Sequence, residues 1–124
     1  MALQSFIWVA CGGALGAVLR FTIGGLGKLP AGFPWPTLGI NLIGSLAMGL
    51  LMGYLSKQSG AQDGLRLFLG VGVLGGFTTF SAFSMELFHL LEKREILAMG
   101  GYLGGSILGG IGLFMAGYLL VRGL

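Results

Sequence analysis

Charge is what this chain has least of. Only 4 acidic and 7 basic residues occur among 124, or 9% of the sequence, where an ordinary soluble protein carries about 25%. The net charge is +3 with a pI near 9.4, but the basic residues form no clustered patch, which excludes nucleic acid as a partner. A mild positive excess of this kind suits anionic lipid or an anionic solute. One cysteine, Cys11, permits no internal disulfide, and with no base apparent beside it nucleophilic catalysis has no support. The chain is therefore not expected to be an enzyme. The one histidine, His89, has no second metal ligand at helical spacing, and Glu86 three residues before it reads as a structural neighbour. The three prolines, Pro30, Pro34 and Pro36, all fall in one short stretch and exclude helix through Gly27 to Pro36. No Lys or Arg precedes Arg20, so the basic region of a signal peptide is not expected.

The rest is apolar. Charge-free runs cover residues 1–19, 29–56, 67–85 and 96–121, and a helix needs about 20 such residues to cross the hydrocarbon core. The fold class expected is an all-α membrane protein, one domain over residues 1–124, with spans at about 5–26, 37–56, 65–91 and 96–121. Continuous runs exclude a β-barrel, whose strands alternate over about 10 residues. The connecting segments are too short for a soluble domain. Trp8, Trp35, Tyr54 and Tyr118 stand near the predicted span ends, as interfacial aromatics do.

Four spans put both termini on one side. That side carries Lys57, Arg66 and Arg122; the other carries Lys28, Lys93 and Arg94, with Arg20 if it reaches that way. Lys/Arg asymmetry normally sets orientation, and here there is almost none. The balance predicts insertion in both orientations and permits an antiparallel, dual-topology homodimer. A fixed orientation that the count misses is the alternative.

Glycine is abundant, at 26 residues, and follows no three-residue period, which excludes collagen. Gly12/Gly16, Ser45/Gly49/Gly53, Gly100/Gly104 and Gly101/Gly105/Gly109 recur at four-residue spacing. Such small faces let helices approach closely in lipid.

One segment breaks this pattern. Residues 75–84 read Gly-Gly-Phe-Thr-Thr-Phe-Ser-Ala-Phe-Ser in the middle of the third span. Paired glycines followed by β-branched and hydroxyl residues are poor helix material. The segment is either a kink or a break in the third helix at mid-membrane, where freed carbonyls or a helix N-terminus can meet an ion. Phe80 and Phe83 share a face, as do Ser81 and Ser84. Thr37, Asn41 and Ser45 form a polar stripe on the second span, and Tyr102 and Ser106 another on the fourth. Asn41 serves either an interhelical hydrogen bond or the lining of a solute path; hydroxyls on two other spans favour the path. Amide and hydroxyl donors, together with the positive edges of phenyl rings, suit a small anion. A cation path would use carboxylate or carbonyl rings, and Glu86 is the only acid near a span's interior.

The stretch Gly75 to Ser84 resembles the signature of the Fluc (CrcB) family of bacterial fluoride channels. Gly16-Ala17-Val18-Leu19-Arg20-Phe21 and Thr37-Leu38-Gly39-Ile40-Asn41-Leu42 are similar to that family's other motifs, in the same order. The resemblance covers the whole chain. It implies an antiparallel homodimer in the bacterial inner (plasma) membrane, multi-pass, with two fluoride pores. It also implies a structural sodium ion at the dimer interface, on the backbone carbonyls of Gly75 and Thr78. By the same resemblance the fluoride pore takes Asn41, Phe80, Phe83, Ser81, Tyr102, Ser106, Glu86 and Arg20. Ala82, Pro36, Gly110 and Phe114 depart from the family's pattern, and the last two shorten the polar track expected on the fourth span.

The function expected is passive, selective export of cytoplasmic fluoride. One alternative is a small dual-topology, proton-coupled exporter with Glu86 as the proton carrier. Another is a structural membrane assembly subunit whose polar residues join helices.

Overall fold

A computed structural model describes residues 1–26 and 32–123. Lys28 and Pro30, used above in the charge balance and the loop, lie outside the described residues. The described residues are helical and contain no strand. Helix α1 is Leu3–Leu26 and α2 is Trp35–Ser56. The contiguous stretches Asp63–Leu65, Arg66–Leu74 and Gly75–Phe77 make up α3 (63–77); α4 is Phe80–Glu92 and α5 is Ile96–Arg122. With α3 and α4 taken as one stretch, Asp63–Glu92, four helices are long and apolar enough to cross a membrane.

Three local features differ from the sequence expectation. Pro36 lies inside the first turn of α2 rather than in the loop. A helix's first amides have no partner to lose, so proline is tolerated there. Residues Arg66–Leu74 are wound as a π-helix, and the Gly75 N–H reaches back to the Gly70 carbonyl. Nothing in a run of apolar residues signals that wider winding. Finally, Gly75 and Gly76 are helical, and the interruption falls on the two threonines after Phe77. Thr78 (φ −81°, ψ 157°) and Thr79 (φ −149°, ψ 125°) are extended, the conformation that β-branched residues accept most readily.

The helices pack in two pairs. α1 lies along α3, and α2 lies along α5. Glycine makes both approaches possible: a Cβ on Gly12 or Gly16 would collide with the α3 backbone at Phe68 or Val73. In the second pair, Gly49 and Gly53 sit against the backbone of Phe114 and Tyr118, and Gly117 against that of Leu46. By contrast, a Cβ on Gly100, Gly101, Gly104 or Gly105 would meet nothing within 4 Å among the described residues. α4 rests on α5, where Phe83, Leu90 and Tyr102 form a small buried core. Most other large apolar side chains face outward, as they do where lipid is the solvent.

The turn from α4 to α5 is closed by two reverse hydrogen bonds. The Glu95 N–H donates to the Leu90 carbonyl and the Arg94 N–H to the Leu91 carbonyl, both at 3.0 Å. Arg94 takes the left-handed conformation (φ 57°) that glycine normally supplies in this motif.

Candidate ion pathway at the helix break

The interruption between α3 and α4 is held by α2. Asn41 Nδ2 donates to the Thr79 carbonyl at 3.0 Å, and Asn41 Oδ1 accepts the Thr79 N–H at 2.8 Å. One side chain thus supplies both bonds that this backbone would otherwise make within a helix. The Thr78 methyl seats against Gly44, where a Cβ would collide with it. Thr79 also caps the new helix, its Oγ1 accepting the Ala82 N–H at 3.1 Å.

These bonds redirect the local amides. The Thr79 N–H goes to Asn41 instead of the Gly75 carbonyl, and the Ala82 N–H goes to a hydroxyl instead of the Thr78 carbonyl. The Gly75 and Thr78 carbonyls therefore lack the amide four residues ahead that would pair them in a continuous helix. The Gly76 carbonyl, between them, accepts Arg20 Nε from α1 at 3.1 Å.

An open groove of about 360 Å³ runs beside the break, and Asn41, Thr78, Phe80, Phe83 and Ser106 all line it. Among the described residues no acidic one does. A second groove shares its Ser45, Ser106 and Phe114 wall and extends it past Gly110. The two phenyl rings stand 5.7 Å apart, tilted by 43°, but differ in setting. Phe80 is 79% exposed on the chain's surface and Phe83 only 6%. Phe83 meets Tyr102 edge-on at 5.0 Å.

The remaining expected site residues lie around this groove rather than on it. Tyr102 is fully buried and its hydroxyl donates to Glu86 Oε2 at 2.8 Å. Thr37 Oγ1 donates to the other carboxylate oxygen at 2.7 Å. Glu86 thereby ties α4 to both α2 and α5. Arg20 lines a separate pocket behind the break, with Thr37, Thr79 and Ala82. Ser81 is exposed, its Oγ 3.3 Å from Thr79 Oγ1; Gly75 is exposed on α3. Two residues outside the expected pore set hold this arrangement together: Thr79, and Thr37 of the second-span polar stripe. A hydroxyl residue just before a helix signals a cap, so Thr79 was legible in that role. Thr37 finds its partner 49 positions away, which no local pattern encodes.

Residues 7–118 match the family described as "CrcB-like protein, Camphor Resistance (CrcB)". This chain belongs to the CrcB family. The CrcB chain is also similar, at 49% identity over 123 residues, to a protein of Hyphomonas neptunium named fluoride-specific ion channel FluC, covering 97% of each chain. Its likeness to the protein of the same name from Novosphingobium aromaticivorans is 51% over 122 residues, covering 94% of this chain and 95% of that one. A Thermus thermophilus FluC is 46% identical over 120 residues, 95% of each. With its four apolar helices, this CrcB member is a multi-pass protein of the bacterial inner membrane.

Proposed function

We propose that this CrcB chain is a passive, selective channel through which cytoplasmic fluoride leaves the cell, working as an antiparallel homodimer with two pores. The observation that carries the reading is the groove at the helix break. An amide, hydroxyls and phenyl rings line it, and no acid does. Such a surface replaces an anion's hydration with hydrogen bonds and ring edges without a competing negative charge. Relatives matched over nearly their whole length carry the name of a fluoride-specific channel.

Several features support a second copy. Phe80, which lines the groove, is 79% exposed within one chain, and Gly100, Gly101, Gly104 and Gly105 give α5 a small face that meets nothing within 4 Å among the described residues. The even division of basic residues between the two sides gives no orientation preference. The Gly75 and Thr78 carbonyls, left without their helical amides, fit a small hard cation. Two copies of each would hold a structural sodium ion, whose charge would join the subunits at the two breaks. The anion path runs through side chains: Asn41, Phe80, Phe83 and Ser106 meet the ion directly. Glu86 and Tyr102 set the position of Phe83, Arg20 contributes positive charge behind the break, and Ser81 faces outward beside it. Glu86 accepts a hydrogen bond on each oxygen.

Fluoride efflux from proteoliposomes under a potassium–valinomycin clamp tests this. Electrogenic, chloride-excluding flux without a proton gradient is expected, and Glu86→Gln is expected to retain passive flux. Flux that requires a proton gradient would overturn the proposal.

A further inference from the structure

We infer that Ser45 of α2 is a fluoride-contacting hydroxyl that continues the donor track of α5 where that helix has none, an assignment that rests on the fluoride-channel reading above. Along α5, Tyr102 and Ser106 place hydroxyls at successive four-residue steps. The next step is Gly110, which has no side chain, and the one after is Phe114. Yet the groove does not end at Ser106. It continues past Gly110, and of the six residues lining that continuation only Ser45 and Ser106 carry a polar side chain. A partly dehydrated anion passing there has those two hydroxyls and nothing else to donate to it.

The geometry places the Ser45 hydroxyl where a fourth-helix donor would stand. Ser45 Oγ is 3.5 Å from the point where a first side-chain carbon would lie on Gly110. Ordinary contact at that distance means Gly110 is not glycine to relieve a collision, unlike Gly49, Gly53 and Gly117, which backbone atoms crowd. The missing side chain leaves room beside the hydroxyl instead. Ser45 also differs from three other helical hydroxyls. Thr22, Ser56 and Ser84 each return theirs to a carbonyl of their own helix, whereas Ser45 makes no such bond among the described residues. Ser106 Oγ likewise is buried and has no hydrogen-bond partner among the described residues. Both hydroxyls, from facing helices, belong to residues that line the same groove.

Relocating the hydroxyl tests the assignment. Fluoride efflux is measured for Ser45→Ala, Ser45→Thr and the double variant Ser45→Ala/Gly110→Ser, each checked for dimer by size exclusion. Ser45→Ala is expected to lower flux about tenfold, the usual scale for losing a hydrogen bond to a charged group. Ser45→Thr retains flux, and the double variant recovers most of it because its introduced serine returns a hydroxyl to the same space. Unchanged flux in Ser45→Ala overturns the inference. So does a loss that Gly110→Ser leaves unrestored in an intact dimer, since the role of Ser45 is then one of packing. Gly110→Val gives an independent check by crowding Ser45 Oγ from the opposite side; it should block flux, and normal flux in it likewise overturns the inference. Absence of fluoride flux in the unaltered protein is a separate result, which removes the channel reading itself and this one with it.

Discussion

Asn41 and Thr79, 38 residues apart, are joined by two hydrogen bonds that use both ends of the asparagine amide. The pair works as one rung of a β-ladder set inside a helical membrane protein. It holds the α3–α4 interruption open, and it brings a groove-lining side chain to a fixed place.

Asn41→Asp should therefore be nearly as damaging as Asn41→Ala. Aspartate still accepts the Thr79 N–H but turns an oxygen toward the Thr79 carbonyl. Loss of the paired backbone groups costs about 1–3 kcal/mol each. Both variants should melt several degrees below the parent in detergent and lose fluoride flux. A parent-like melting temperature for Asn41→Asp would show that the pair does not hold the break.

The two phenylalanines should separate stability from transport. Phe83 is buried against Tyr102 and Phe80 is exposed. Phe83→Ile is expected to lower both flux and the monomer's thermal stability, the latter by about 1–2 kcal/mol. Phe80→Ile should lower flux with no change in thermal stability. Equal melting shifts in the two variants would contradict the assigned settings.

Glycine positions should divide in the same way. A methyl on Gly16 would strike the Val73 carbonyl, while one on Gly112 meets nothing within 4 Å. Gly16→Ala is expected to reduce the yield of monodisperse protein sharply, at a cost of about 1–3 kcal/mol or more. Gly112→Ala should be neutral or gain up to about 1 kcal/mol from helix propensity. Expression yield and melting temperature measured side by side decide this.

Arg94→Gly should stabilise the protein. Arg94 stands at φ 57°, which costs a side-chain-bearing residue about 1 kcal/mol and glycine nothing. A melting temperature higher by a few degrees is expected, whereas Arg94→Val should lower it. A lower value for Arg94→Gly would mean that the arginine side chain contributes more than its backbone costs.

The spans and the all-helical class were legible because four uninterrupted apolar runs admit few other folds. A departure from regular helix within residues 75–84 was legible as well, since paired glycines followed by hydroxyl and β-branched residues are poor helix material. What the chain did not disclose depends on contacts between distant residues. The glycine pair looked like the point where the helix stops, but Asn41 draws the interruption to Thr78 and Thr79. Glu86 looked like an isolated acid, and Thr37 and Tyr102 each donate to one of its oxygens from different helices. The π-wound stretch at Arg66–Leu74 has no residue pattern that sets it apart from an α-helix.

The interleaved pairing of α1 with α3 and of α2 with α5 also dictates how the subunit is made. Neither of the two long pairings joins neighbouring spans, so α1 and α2 must each wait for a helix made two spans later. Gly12 must wait for Gly72, which at about 5–20 residues per second leaves the ribosome some 3–12 s later. Over that interval the first two spans sit in the bilayer with their glycine faces uncovered. The second pair cannot close until the last helix has been inserted. A nascent chain halted after the third span would hold one finished pair and an α2 joined to it at Asn41 and Thr79, with the groove still lacking its α5 wall.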